Sequence, residues 1–242
     1  MEKIYNIDFA ALSRAEKVKF IYHFKEIAEE SFSECEFDVA ANAQIFIFTR
    51  WWNSYRLTIE EHYALQIFER IIQNLWDYQE GKLERSEFVH FTRCLEASVR
   101  ELVTGDTEKL DEDKAYYAFY EKYFEVWDCI YDKFIIELEC VCQGISNHEI
   151  KWNSVKSILT SAIATNIEPV VIKGIDDETY AKWQQRWEEL CDTSGFGQII
   201  ALLQKDMKTA MEGRPIAELR AVYQDEYLFS PEDSAKITQD WC

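Results

Sequence analysis

Glu87 and His90 stand three residues apart, the separation at which one helix face presents a carboxylate and an imidazole to the same metal pair. A di-iron or dimanganese carboxylate centre needs two such pairs and two further carboxylates. The remaining histidines, His23, His62 and His148, have no acid at the matching upstream position. Among 45 Asp and Glu one such pair arises by chance, so neither a metal nor any other cofactor is expected.

Glu84, Glu87, Glu108 and Asp111 match by letter the Glu-x-x-Glu and Glu-x-x-Asp pairs of magnesium-dependent helical nucleotide pyrophosphatases. A helix of about eighteen residues between the pairs would hold them roughly 27 Å apart, too far for one metal cluster. Nucleophilic chemistry finds no better support, because neither Cys94 nor Cys191 has a basic neighbourhood that would hold a thiolate. The glycines of Ser194-Gly195-Phe196-Gly197 precede a helix, but no Lys follows in the required place and Asp192 would repel phosphate. Arg50-Trp51-Trp52 is a single arginine beside two indoles, not the interleaved basic and aromatic pattern of a nucleic-acid binder.

The elements that would position any site read as helices. Ser13 and Glu16 form a capping box that opens a helix over Ser13–Phe32. A second runs through Ala40, Ala43, Ile47 and Trp51 to about Leu57. Thr58 and Glu61 start a third, which Gly81 stops, and Ser86 starts a fourth, which Gly105 stops. The longest periodic run, Asp111 to Cys142 with Gly144 as its stop, carries two adjoining apolar stripes and predicts one central helix. Further helices are expected over His148–Ala164, Asp176–Cys191, Gly197–Met211, Pro215–Tyr223 and Ser230–Trp241. Only Pro169–Ile172 is strand-like, and one strand makes no sheet.

The fold expected is therefore an all-α multi-helix globular bundle of about nine or ten helices. Residues 1–166 would form the main bundle and 175–242 a smaller C-terminal part packed on it. With 48% hydrophobic and 15% aromatic residues the chain can bury a core, unlike a disordered acidic tail. The seven cysteines are odd in number and scattered, and Cys140 and Cys142 lack the spacing of a zinc knuckle. No secretion signal or long apolar run is present, so the expected location is cytoplasmic, away from membranes.

What remains is charge. Twenty-six Lys and Arg leave a formal net charge of -19, a field that favours cationic partners over nucleic acid or anionic membrane. Glu121, Glu125, Asp128 and Asp132 are spaced four, three and four apart, on one face of the long predicted helix. Asp106, Glu108, Asp111, Glu112 and Asp113 precede that helix, where acids also suit a helix amino terminus. A third acidic group, Asp176, Asp177 and Glu178, has the same local use. These features predict a non-enzymatic acidic binding protein that covers the active surface of a basic toxin or effector. In charge, size and lack of motifs the chain is similar in style to bacterial immunity proteins. A helical metal-dependent enzyme with a carboxylate-lined pocket, or a scaffold for peptide helices, would be the alternatives.

Overall fold

The computed structural model describes residues 3–57, 62–125, 132–164, 185 and 188–228, which are helical with no strand among them. The helices are α1 (Arg14–Tyr22), α2 (Phe24–Phe32), α3 (Phe37–Tyr55), α4 (His62–Gln79), α5 (Arg85–Thr104) and α6 (Glu108–Glu112). They continue with α7 (Lys114–Tyr123), α8 (Asp132–Ser146), α9 (Asn153–Ala164), α10 (Ser194–Met211) and α11 (Ile216–Tyr223). The expected strand-like run, the domain boundary after 166 and the helix over Ser230–Trp241 lie outside the described residues. So do the Thr58 and Glu61 capping box and most of Asp176–Cys191.

The centre of the fold is α3, not the run from Asp111 to Cys142. Between Phe37 and Tyr55 the only charged residues are Asp38 and Arg50, and a helix apolar around its whole circumference must be enclosed. Every residue from Ala43 to Ser54 is buried. Ala40, Ala41 and Ala43 let neighbours approach its first turns closely, and Ile45 to Phe48 are fully buried. Helix α10 lies along α3 and contributes Ile200, Leu203, Met207 and Ala210 to the same core. The N-terminal turns close over α10, where Gln204 Nε2 donates to the carbonyls of Ile4 and Ile7 at 2.7 and 2.8 Å.

Helix ends account for the other departures from the expected elements. The predicted helix over Ser13–Phe32 has its capping box but bends at His23, whose φ of -101° and ψ of 16° separate α1 from α2. The bend leaves the Tyr22 carbonyl available to Lys156 Nζ at 2.9 Å, and it turns Phe20 and Phe24 edge to face in the core. The run from Asp111 is interrupted twice. Extended backbone at Asp113 lets that side chain cap α7, and α7 stops at Tyr123 because Phe124 leaves the spiral to bury itself. α5 runs its expected course, ending at Gly105 in the left-handed region with φ of 69°.

Gly144 is not the stop that its sequence position suggests. It lies inside the last turn of α8, and the left-handed residue beyond the helix is His148, with φ of 54°. Its lack of a side chain serves close approach instead: a Cβ there would meet the Glu149 carbonyl oxygen at 2.8 Å. Glu149 N donates back to the Gly144 carbonyl at 2.8 Å, so the two backbones are locked together. Gly144→Ala is expected to cost about 1–3 kcal/mol, seen as a lower urea midpoint. An unchanged midpoint would show that the turn after α8 relaxes freely.

Candidate functional site

The acidic residues predicted as a surface separate into two groups by what they touch. Asp106 and Asp113 serve the chain locally. Asp106 Oδ2 accepts from Arg100 Nη2 at 2.6 Å and Oδ1 accepts from Glu108 N at 3.0 Å, and these contacts hold its pKa below the ordinary value. Asp113 Oδ1 accepts from Ala115 N at 2.8 Å as the cap of α7. Glu108, Asp111 and Glu112 on α6, Glu121 on α7 and Glu125 just beyond it are exposed. Among the described residues these five form no ion pair.

The four acids spaced from Glu121 to Asp132 do not share one continuous helix face. Glu121 belongs to α7, Glu125 follows its end, and Asp132 opens α8. Asp128 and the side chain of Asp132 lie outside the described residues, as do Asp176, Asp177 and Glu178.

Aromatic groups accompany the acids of α6 and α7. No residue of α7 is fully buried, and Tyr117 is 49% exposed. Tyr116 leans on the His90 ring at 6.2 Å, and Lys122 Nζ sits 4.6 Å from the centre of the Tyr123 ring. Burial, together with Glu101 and Glu125, pushes the Tyr120 phenol up to about 12, so it stays a neutral donor.

A second region, unmarked by sequence reasoning, joins α3, α10 and α11. Arg50 and Asp206 are 1% and 0% exposed and meet through Arg50 Nε, 2.8 Å from both carboxylate oxygens. Tyr223 donates its hydroxyl to Asp206 Oδ1 at 2.5 Å, and its ring lies 5.0 Å from the Arg50 guanidinium. Arg50 Nη1 also pairs with Glu226. Burial raises the Asp206 carboxyl while Arg50 and Tyr223 oppose the rise, leaving it ionised at neutral pH. Asn53, one turn beyond Arg50, donates to the carbonyls of Tyr223 and Glu226 at 2.7 and 2.9 Å.

Beside this network a cleft of about 380 Å³ opens between α3, α4 and α11. α3 contributes Thr49, Trp52, Asn53 and Arg56; α4 answers with Glu69, Ile72, Gln73 and Trp76. Both sets follow the three-then-four spacing of one helix face. Trp76 Nε1 donates to Thr49 Oγ1 at 3.0 Å, and Trp52 meets Phe68 at 5.3 Å, so the two helices run antiparallel. Arg220 on the α11 side is held by Asp77 and Glu80 at 2.5 and 3.1 Å.

The candidate catalytic residues do not assemble. Glu87 completes a capping box with Glu84 at the start of α5, and His90 contacts Cys94 Sγ at 3.8 Å. All 20 residues of α5 separate Glu84 from α6, which carries Glu108 and Asp111. Among the described residues no three His, Cys, Asp or Glu side chains converge as metal ligands. Cys94 is buried and its thiol is pushed up to about 11, mainly by desolvation, which keeps it protonated. Thr193 caps α10 by accepting from Phe196 N at 3.3 Å, which accounts for the glycine-containing segment as a helix start. No described helix is long and apolar enough to cross a membrane. The chain matches no family model, and no curated protein or solved structure is detectably similar to it.

Proposed function

We propose that this is a non-enzymatic, acidic helical binding protein, an inhibitor or immunity-type protein that neutralises a basic toxin or effector by covering its active surface. The observation carrying this reading is the group of exposed carboxylates on α6, α7 and the following turn, which have no ion pair among the described residues and lie among partly exposed tyrosines. Like charges left unpaired this close together repel one another, a cost that a cationic partner relieves. The net charge of -19 supplies long-range steering, and tyrosines such as Tyr117 supply contact area that slows dissociation.

The direct test replaces Glu108, Glu112, Glu121 and Glu125 together by glutamine. None of these side chains has an ion-pair partner among the described residues to lose, so stability is expected to stay within about 1 kcal/mol of wild type. Association with the basic partner, captured on immobilised wild-type protein and identified, is expected to slow about tenfold or more at low salt. Raising salt should slow the wild type toward the variant, because screening shortens the Debye length from about 10 Å at 0.1 M to about 3 Å at 1 M. If the fourfold variant keeps every association of the wild type at unchanged rate, the acids are solubilising charges and the reading fails.

A further inference from the structure

We propose that the cleft between α3, α4 and α11 is a binding site for a small zwitterion of the α-amino-acid class with an apolar side chain. The inference goes beyond the docking reading and uses none of its residues.

The register of α3 against α4 arranges the charges. Thr49 and Trp76 are joined by a hydrogen bond at one end, and each helix carries its next cleft residues away from that point in opposite chain directions. Seven residues along α3 comes Arg56, and seven residues back along α4 comes Glu69, each about 10 Å from the Thr49–Trp76 contact. Arg56 and Glu69 thus lie at the same end of the cleft and form no ion pair with each other. Arg56 has no carboxylate partner among the described residues; its one hydrogen bond runs from Nη2 to the Gln224 carbonyl at 3.0 Å. In a chain with 45 acids to 26 bases, a half-buried arginine without a carboxylate keeps donors for something else.

The cleft floor adds a directional group. Asn53 is 2% exposed, and its amide nitrogen is spent on the Tyr223 and Glu226 carbonyls. That fixes the side-chain orientation. Its Oδ1 is not among the buried acceptors left without a partner, so it is an acceptor on the cleft wall that a ligand can take over from solvent. Trp52, Ile72 and Trp76 form the apolar part of the wall.

The complement of this arrangement is a molecule with a carboxylate for Arg56, an ammonium for Glu69 and an apolar group for the indoles. Asn53 Oδ1 offers the ammonium a second acceptor. Net charge selects among candidates as well. The lining also holds Asp225, and Arg220, which Asp77 and Glu80 already occupy, so an ammonium meets Glu69 and Asp225 while a carboxylate meets Arg56. The field of a -19 chain repels a free anion, whereas a zwitterion is neutral as a whole. The cleft volume lies within the range of small-molecule pockets.

The test titrates the full chain with L-phenylalanine, N-acetyl-L-phenylalanine, which lacks the ammonium, and phenethylamine, which lacks the carboxylate. Calorimetry provides the readout, with the tryptophan fluorescence of the whole chain as a second. L-phenylalanine is expected to bind, and the two truncated compounds to bind about tenfold or more weakly. Arg56→Gln and Glu69→Gln are each expected to weaken L-phenylalanine about tenfold, with thermal unfolding of the free protein unchanged for Glu69→Gln and only slightly lowered for Arg56→Gln, which loses its hydrogen bond to the Gln224 carbonyl. Rescue by Arg56→Lys of part of the lost affinity would separate charge recognition from a change of shape. Absence of L-phenylalanine binding at about 10 mM, or equal binding of all three compounds, overturns the assignment. Neither result bears on capture of a basic protein by the acids of α6 and α7.

Discussion

Asp206→Ala is expected to destabilise the protein by about 3–5 kcal/mol, because it leaves the Arg50 charge buried without the carboxylate that brings both oxygens to its Nε. Arg50 is 1% exposed, so water cannot replace the carboxylate without opening the contact between α3 and α10. The Tyr223 hydroxyl loses its acceptor in the same step. Glu226 keeps part of the guanidinium occupied through Nη1, which places the loss within that range and not above it. Urea unfolding at neutral pH measures the effect.

The companion measurement separates the penalty of an orphaned charge from the net worth of the pair. Arg50→Met combined with Asp206→Leu removes both charges and keeps apolar volume, so the double variant is expected to be more stable than Asp206→Ala alone. Should the double variant be the less stable of the two, the network would be a net contributor to stability, and the argument from desolvation would be wrong.

Why this network was not read from the sequence is a matter of range. Arg50 and Asp206 are 156 residues apart, and nothing local announces their meeting. A signal did exist at each end: Arg50 is the only charge in the buried run Ala43–Ser54 of α3, and Asp206 sits between Leu203 and Met207 on the buried face of α10. A charge on an apolar helix face must find an opposite charge, but its identity depends on the packing of α10 against α3. Helix existence, by contrast, is set locally, and so the capping box at Ser13 and Glu16 and the stop at Gly105 were legible.

The breaks in the run from Asp111 to Cys142 have the same origin. Period alone could not distinguish a continuous helix from helices in register, and the deciding facts are the capping role of Asp113 and the burial of Phe124. Six of the predicted surface acids, Glu108, Asp111, Glu112, Asp113, Glu121 and Glu125, are exposed, because polarity at a surface is a local property. The cleft beside Asn53 and Arg56 was not legible, since it needs the register of α3 against α4 as well as the placement of α11.

Glu139→Gln is expected to stabilise the protein at pH 8 by about 2–3 kcal/mol and to leave it nearly unchanged at pH 4.5. Glu139 on α8 is only 7% exposed, and its Oε1 is buried with no hydrogen-bond partner. Burial pushes its pKa from 4.5 up to about 7, with repulsion from Glu96 of α5 adding to the rise. Its contact with Cys140, the charge of Lys109 on α6 and its contact with Gln143 oppose it, and Lys109 is already paired with Glu96. A carboxyl whose pKa is higher folded than unfolded binds its proton more tightly in the folded state. Its penalty is therefore fully present above about pH 7 and fades as pH falls toward 4.5, so this group stabilises the fold on acidification. Asp206 titrates in an overlapping range, but it is common to wild type and variant, and the difference between their urea midpoints as a function of pH isolates Glu139. A difference that stays constant from pH 4.5 to pH 8 would mean that Glu139 ionises in the folded protein as it does in the unfolded chain. The buried carboxylate between α5, α6 and α8 would then have a compensation that its visible contacts do not supply.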